Sequence, residues 1–147
     1  MQRNPEARIV IDAPAAAVWE VLVQLEKYSE WNPCLQFQGE AIVGSSVPMT
    51  VGLFNRSLTV PVVFEVVEKE RELRWRGGPS WLMSGSHYFK LRQVHESGAG
   101  TATELIQGEA FQGVALPLLW PFLNSELDHL YHDANEAIKQ RVESLIA

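Results

Sequence analysis

The sequence predicts an α+β domain in which a curved antiparallel sheet of about seven strands wraps around a long C-terminal helix. Through most of residues 35–111, apolar residues alternate with polar ones, which is typical of strands with one buried face. Short turns separate the alternating segments, which favours an antiparallel meander. From about residue 122 to 145, apolar residues recur at three- and four-residue steps, which indicates an amphipathic helix laid across the sheet.

The N-terminal elements are predicted to be one strand and two short helices. Residues 7–12 form a short β-branched run, which indicates the first strand. Pro14 suits the first turn of a helix, and Asp12 lies near the positive end of its dipole. Residues 27–30 are predicted to form a second short helix or a turn. This segment ends at residues 31–33, because the residue before a proline is disfavoured in the α region.

Six more strands and the long helix complete the prediction. The strands are expected at residues 35–41, 47–53, 60–66, 72–76, 87–92 and 103–111, with a turn at residues 96–100 before the last. Residues 113–122 are apolar but interrupted by two prolines, so we expect a bent connection there rather than helix. The inward stripe of the helix is predicted to be Leu123, Leu127, Leu130, Ala134, Ile138 and Leu145.

Length and composition favour a single cytoplasmic domain spanning residues 1–147. The length is typical of one domain, and no stretch has the composition of a linker. The lone cysteine, Cys34, cannot form an internal disulfide, which suits a reducing compartment. The opening residues MQRNPEAR lack the apolar segment of a secretory signal, and no run approaches the roughly 18 apolar residues of a membrane span.

Charge argues against nucleic acid as a partner. The formal net charge is −6, and Lys and Arg are sparse and scattered, whereas phosphate binding depends on clustered cations. The sequence also has no Gly-rich phosphate loop, nucleophile elbow or CxxC pair, and we expect no cofactor. Five tryptophans instead supply large apolar faces.

Several segments resemble a known superfamily. They are IVIDAPAAAVWEVLVQLEKYSEWNP at residues 9–33, RELRWRGG at 71–78, GSHYFKL at 85–91 and GEAFQG at 108–113. Together with the element order, they resemble the START-like domains of the SRPBCC superfamily, in its polyketide cyclase/dehydrase-type branch. The resemblance implies the helix-grip fold, with a cavity between sheet and helix that binds a lipid, sterol, polyketide, quinone or other apolar molecule. It also implies that a minority of members are enzymes.

His87 and Glu109 are the candidates for chemistry, because both fall on predicted inward faces of neighbouring strands. A buried carboxylate is costly without a partner, so Glu109 is expected either to meet His87 or to reach solvent at the cavity mouth. A His–Glu pair could act as a general acid or base on a bound carbonyl compound. The alternative is that the two groups only satisfy each other and shape the cavity.

The predicted ligand-binding residues share an inward or cavity-end position. Trp31 is expected at one end of the cavity, Trp75 in its wall, and Asn32 either presents an amide to the ligand or caps a turn. The full set is Trp31, Asn32, Phe64, Trp75, His87, Phe89, Gln107, Glu109, Phe111, Leu123 and Leu127.

Two further features have alternative interpretations. The segments around Trp81 and Trp120 are apolar where connections are usually polar, so they form either a mouth or docking surface for membrane or protein, or an extension of the core. His129, His132 and Asp133 have the i, i+3, i+4 spacing of metal ligands, but they lie off the leucine stripe and no second cluster supplies further ligands. A solvated face is therefore expected there, and no metal site.

These observations support three hypotheses. The first is a carrier or sensor that binds a hydrophobic small molecule in the cavity. The second is a cyclase or dehydratase that acts on such a molecule through His87 and Glu109. The third is a regulatory module that binds other proteins through the segments around Trp81 and Trp120.

Overall fold

The computed structural model describes residues 2–95 and 101–147, and the turn predicted at residues 96–100 lies outside the described residues. Its strands are β1 (Gln2–Arg3), β2 (Glu6–Ile11), β3 (Leu35–Phe37), β4 (Ser46–Leu53), β5 (Arg56–Glu68), β6 (Glu72–Gly77), β7 (Ser84–His95) and β8 (Thr101–Gln112). The helices are α1 (Ala15–Val23), a 3₁₀ helix (Leu25–Glu30) and α2 (Leu116–Ile146).

All strands belong to one antiparallel sheet. Its order is β1-β8-β7-β6-β5-β4-β3, and β2 also pairs with β8. The predicted fold class is confirmed: the sheet curls, and the long helix lies against it. The sheet has one strand more than predicted, because the two-residue strand β1 was not expected. The strand predicted at residues 35–41 ends at Phe37, because Gly39 has a φ of 114°, which a continuing strand does not allow.

The long helix contacts two separate apolar clusters. Ile138 and Val142, in its C-terminal half, pack into the main core with Ile11, Leu22 and Leu105. Its N-terminal half belongs to a smaller cluster built from Phe111, Leu116, Leu123, Leu127 and Tyr131. The helix therefore completes the core at one end of the sheet and covers a different part of the concave face at the other.

The expectation of a bent connection at residues 113–122 is wrong. Helix α2 begins at Leu116 and continues through Pro117 and Pro121. Pro117 lies in the first turn, where backbone N–H groups have no helical partner, so its missing donor costs nothing. Pro121 lies beyond that turn and removes one helical hydrogen bond, and the packing of Leu116 and Leu123 on either side offsets the loss.

Replacing Pro121 with Ala should stabilise the protein by about 1–3 kcal/mol, because the exposed Pro121 deprives the helix of one hydrogen bond without adding buried contacts. Pro117→Ala is the matched control in the first turn, and should change the free energy of unfolding by less than about 0.5 kcal/mol. Urea unfolding of both variants measures this. Equal effects of the two substitutions would contradict the account of α2.

Candidate functional site

A cavity of about 140 Å³, partly open to solvent, lies between the concave face of the sheet and the N-terminal half of α2. Most of its wall is apolar. Of the residues predicted to bind ligand, its wall contains Trp75, His87, Gln107, Glu109, Phe111, Leu123 and Leu127. Its other lining residues were not predicted as site residues, namely Cys34, Leu35, Met49, Val51, Leu53, Met83, Leu130 and Tyr131.

A row of side chains across three strands forms the floor of this cavity. Trp75 on β6 is directly opposite His87 on β7, and His87 is directly opposite Glu109 on β8. Opposed residues in an antiparallel pair project from the same face, so the sheet itself brings these side chains together. The rings of Trp75 and His87 stack, with centroids 4.3 Å apart and planes at 15°, which fixes the imidazole against the wall.

The imidazole of His87 is held by Gln107 rather than by Glu109. His87 Nε2 lies 3.0 Å from Gln107 Oε1. The amide nitrogen of Gln107 donates to the backbone carbonyl oxygen of Tyr131 at 3.3 Å and to Asn135 Oδ1 at 2.7 Å. A backbone carbonyl can only accept, so the orientation of the amide is determined and its oxygen faces His87. His87 Nε2 therefore carries the hydrogen and donates it.

His87 is neutral in this environment. Burial lowers the pKa of His87 to about 4, and the hydrogen bond to Gln107 opposes this shift only in part. With the hydrogen on Nε2, Nδ1 is left as a bare acceptor, and it is buried without a hydrogen-bond partner. The side chain lines the cavity, but Nδ1 itself has almost no exposed surface.

Glu109 pairs with Tyr131 of helix α2. The Tyr131 hydroxyl donates to Glu109 Oε1 at 2.8 Å, and burial raises the pKa of the Tyr131 phenol, so it remains a donor. Burial raises the pKa of Glu109 to about 7, and the hydrogen bond from Tyr131 opposes this shift. Gly85 leaves room for this carboxyl group, because a Cβ at that position would overlap Glu109 Oε2. The carboxyl group is thus held over a strand position that has no side chain.

The other predicted ligand-binding residues lie away from the cavity wall. Asn32 caps a turn, since its Oδ1 accepts from the backbone N–H groups of Cys34 and Leu35 at 2.9 Å each. Trp31 packs against Tyr28. Phe64 and Phe89 are fully buried in the main core beside Trp75. The structure therefore favours the capping alternative for Asn32 and a core position for the two phenylalanines.

Two site residues on the helix were missed because they are polar. Tyr131 and Asn135 are buried and continue the inward line through Leu127 and Ile138. Leu145, which was predicted in that line, is 62% exposed. Following the helical spacing without regard to polarity would have identified both missed residues.

Part of the surface beside the cavity is apolar and exposed, and we call it the apolar rim. It consists of Phe54, Trp81, Leu82, Leu118 and Phe122, of which Trp81 is 70% and Leu118 75% exposed. Phe54, Leu82 and Phe122 each adjoin a cavity-lining residue in the chain. Trp120 does not belong to it, since its ring packs against Phe111 and beneath Arg3. Trp81 is therefore exposed, whereas Trp120 packs within the protein.

His129, His132 and Asp133 are exposed on the outer face of α2, as the helical spacing predicts. Across residues 2–95 and 101–147, no three His, Cys, Asp or Glu side chains are grouped closely enough to hold a metal ion. None of the helices in these two ranges has the length and apolar character of a membrane span.

Comparison with known families confirms the resemblance predicted from the sequence. A family model described as "Polyketide cyclase / dehydrase and lipid transport" matches residues 3–143. No curated protein matches the sequence.

Solved structures with this fold include enzymes. The Zhui aromatase/cyclase from Streptomyces sp. R1128 is 16% identical, with a TM-score of 0.79, and the match covers 100% of this chain and 97% of that one. A START superfamily protein from Mycobacterium smegmatis is 14% identical, with a TM-score of 0.71 and coverages of 97% and 98%. Truncated norcoclaurine synthase from Thalictrum flavum is 14% identical, with a TM-score of 0.68 and coverages of 97% and 94%. At these identities the likeness shows the fold alone.

Replacing Glu109 with Gln should make the protein more stable above pH 7 and change the free energy of unfolding by less than about 1 kcal/mol at pH 5. The pKa of Glu109 is raised from 4.5 to about 7, so the folded state holds its proton more tightly, and stability is lost as pH rises between those values. The variant should gain up to about 3 kcal/mol at pH 8. The lowered pKa of His87 acts in the opposite direction, adding stability as pH rises from about 4 to 6.5.

The contribution of His87 is common to both proteins and cancels in the difference. Urea unfolding at pH 5 and pH 8 measures that difference. Glu136→Gln, on the exposed face of α2, is the control and should show no change with pH. The account of Glu109 would be wrong if the two variants behaved alike.

Proposed function

We propose that this chain, which belongs to the polyketide cyclase/dehydrase and lipid-transport family, binds one hydrophobic small molecule in the cavity under helix α2. The observation that carries the proposal is the cavity itself, whose wall is mostly Leu, Val, Met, Trp and Phe with a few converging polar groups. This is the usual composition of small-molecule sites. The family description supports the same class of ligand, and names both cyclisation and lipid transport.

The size of the cavity limits what fits without rearrangement. Its volume of about 140 Å³ is close to that of apolar protein cavities of roughly 150 Å³ that hold benzene. Sites for larger ligands usually measure about 300–1,000 Å³. A lipid or polyketide would therefore extend through the opening, or widen the space by moving flexible wall residues such as Met49 and Met83. One ring is the portion that the cavity accommodates as it stands.

Filling the cavity should abolish ligand binding while the protein stays folded. Leu127→Trp places a larger ring into the space under α2, so native mass spectrometry should detect less than about a tenth of the apolar ligand that copurifies with the unaltered protein. Leu118→Trp is the matched control, because Leu118 lies on the same helix with its side chain 75% exposed. Undiminished binding by a folded Leu127→Trp protein would contradict the proposal.

A dehydratase or cyclase is the second candidate, favoured by His87 and Glu109 being opposed on neighbouring strands in the cavity wall. In a β-hydroxy ketone, His87 Nδ1 would accept the proton from the carbon next to the carbonyl, which requires the side chains packed around Nδ1 to move aside. The C–H electron pair would form the double bond, the C–O bond would break, and protonated Glu109 would supply the proton that completes the leaving water. The raised pKa of Glu109, about 7, and the lowered pKa of His87 suit those two states.

β-Hydroxycyclohexanone has one ring and tests this candidate. An enzyme of this class should convert it to cyclohexenone, followed by ultraviolet absorbance, and both His87→Phe and Glu109→Gln should lower the rate by at least about 100-fold. If only one of the two substitutions lowers the rate, the paired mechanism is wrong. If the unaltered protein gives only the uncatalysed rate, this candidate is excluded for one-ring substrates.

The apolar rim supports a further part of the proposal, namely a transient contact with a membrane or another protein. Three of its residues, Phe54, Leu82 and Phe122, are next in the chain to cavity-lining residues, so a surface that contacts them would meet the protein close to the cavity. Trp81 would take part, whereas Trp120 would not, because its ring packs within the protein. The segments around Trp81 and Trp120 do not suit binding of a nucleic acid, since residues 77–86 and 111–125 contain no Lys or Arg.

A further inference from the structure

We infer that the cavity takes a one-ring molecule with a protonated amino group, a benzylamine in the simplest case, and that Glu109 Oε2 accepts a hydrogen bond from its ammonium group. The inference rests on the proposed function and deepens it by naming the class of ligand. It starts from the carboxyl group of Glu109, the one acidic side chain in the described cavity wall.

One oxygen of this carboxyl group is open to a ligand. Glu109 Oε1 accepts from the Tyr131 hydroxyl at 2.8 Å, and that hydroxyl has a single hydrogen to donate. Glu109 projects from the concave face, lines the cavity and keeps part of its surface exposed. Across the part of the chain that the structure describes, the fully buried side-chain polar atoms without a partner belong to Asn32 and His87. Glu109 Oε2 therefore retains accessible surface, and a molecule in the cavity can reach it.

The surroundings of Oε2 match an amino group that is joined to a ring. A Cβ on Gly85 would touch both Glu109 Oε2 and the Phe111 ring, so the carboxyl oxygen and this ring lie side by side over the glycine. An ammonium group on Oε2 would thus have an apolar contact for its neighbouring carbon directly beside it. The described lining residues include no Lys or Arg, so no cation of the cavity wall competes for the carboxylate.

An ammonium group complements this carboxyl group better than a neutral donor does. Burial removes most of the water around Glu109 and raises its pKa to about 7, so the carboxylate form lacks solvation. A ligand ammonium group forms a charge-assisted hydrogen bond with it and replaces part of that solvation. Because the cavity is partly open to solvent, the ammonium group keeps some of its own water. A hydroxyl group has no charge and gains less from the same oxygen.

Glu109 is the group in the described cavity wall that titrates near neutral pH. The other titratable side chains of this wall are His87 on β7, Tyr131 on α2 and Cys34 just before β3. Burial lowers the pKa of His87 to about 4, raises that of Cys34 to about 11 and raises that of the Tyr131 phenol. All three are therefore neutral between pH 5.5 and 8, whereas Glu109 becomes a carboxylate as the pH rises through about 7.

Binding of benzylamine, benzyl alcohol and ethylbenzene to the unaltered protein, measured by titration calorimetry, tests the inference. The three molecules have the same ring and nearly the same size, and end in an ammonium, a hydroxyl and a methyl group. At pH 8 we expect benzylamine to bind about tenfold more tightly than benzyl alcohol. Benzylamine should bind about 30-fold more weakly at pH 5.5, where Glu109 is protonated, and benzyl alcohol should not weaken.

The proton that Glu109 loses identifies the contact. At pH 6, titrations in two buffers of different ionisation enthalpy should show release of nearly one proton for each benzylamine bound, because the carboxyl group is mostly protonated in the free protein. The two neutral molecules should release none. If a neutral molecule binds, but benzylamine binds no more tightly than benzyl alcohol at pH 8 or releases no proton at pH 6, the inference is overturned and the proposed function stands. Failure of all three to bind would contradict both.

Two carboxyl variants locate the acceptor. Glu109→Gln keeps the size of the side chain but not its charge, so the preference for benzylamine and the proton release should disappear while benzyl alcohol still binds. Glu126→Gln is the matched control, because Glu126 precedes the lining residue Leu127 but accepts from the backbone N–H of Phe54, outside the cavity wall. It should retain both properties. A preference that persists in folded Glu109→Gln, or is lost in folded Glu126→Gln, would overturn the assignment to Glu109. Thermal unfolding establishes that each variant is folded, and the proton release of the unaltered protein stands without either.

Discussion

The hydrogen bonds of the buried Gln107 amide are the interaction on which the site depends. They join the sheet, through His87, to the middle of helix α2, through Asn135 and the carbonyl oxygen of Tyr131. On one side of this link the helix packs into the main core, and on the other it lies over the cavity. Because removing any member would leave buried polar groups unpaired, the link fixes the position of the helix against the sheet.

Burial shifts the pKa values of His87 and Glu109 in opposite directions, and both shifts favour the neutral form of the side chain. It lowers the pKa of His87 to about 4 and raises that of Glu109 to about 7, so between about pH 4 and pH 7 both groups are mostly neutral. A wall that carries no charge is compatible with an apolar ligand. The same two groups retain an acceptor and a proton, respectively, which is why one cavity supports both a binding function and a second candidate in acid–base chemistry.

Much of the fold could be predicted, because residue alternation and helical spacing are local signals. They placed His87 and Glu109 on the inward faces of neighbouring strands, where the register pairs them directly. The start of α2 could not be predicted, since Pro121 is tolerated only through packing on either side of it. Of the two alternatives expected for Glu109, the contact with His87 is not formed, because Gln107 and Tyr131 provide the partners, and Glu109 remains partly exposed. The size of a cavity depends on how distant side chains fill space, which no local pattern contains.

The central claim is that a space remains between the floor formed by Trp75 and His87 and the helix residues Leu123 and Leu127. Xenon occupies apolar protein cavities, so diffraction from crystals pressurised with xenon tests the claim most directly. The account predicts a xenon peak between those side chains, with the surrounding structure unchanged. Absence of xenon there, with the volume filled by the protein's own side chains, would contradict it.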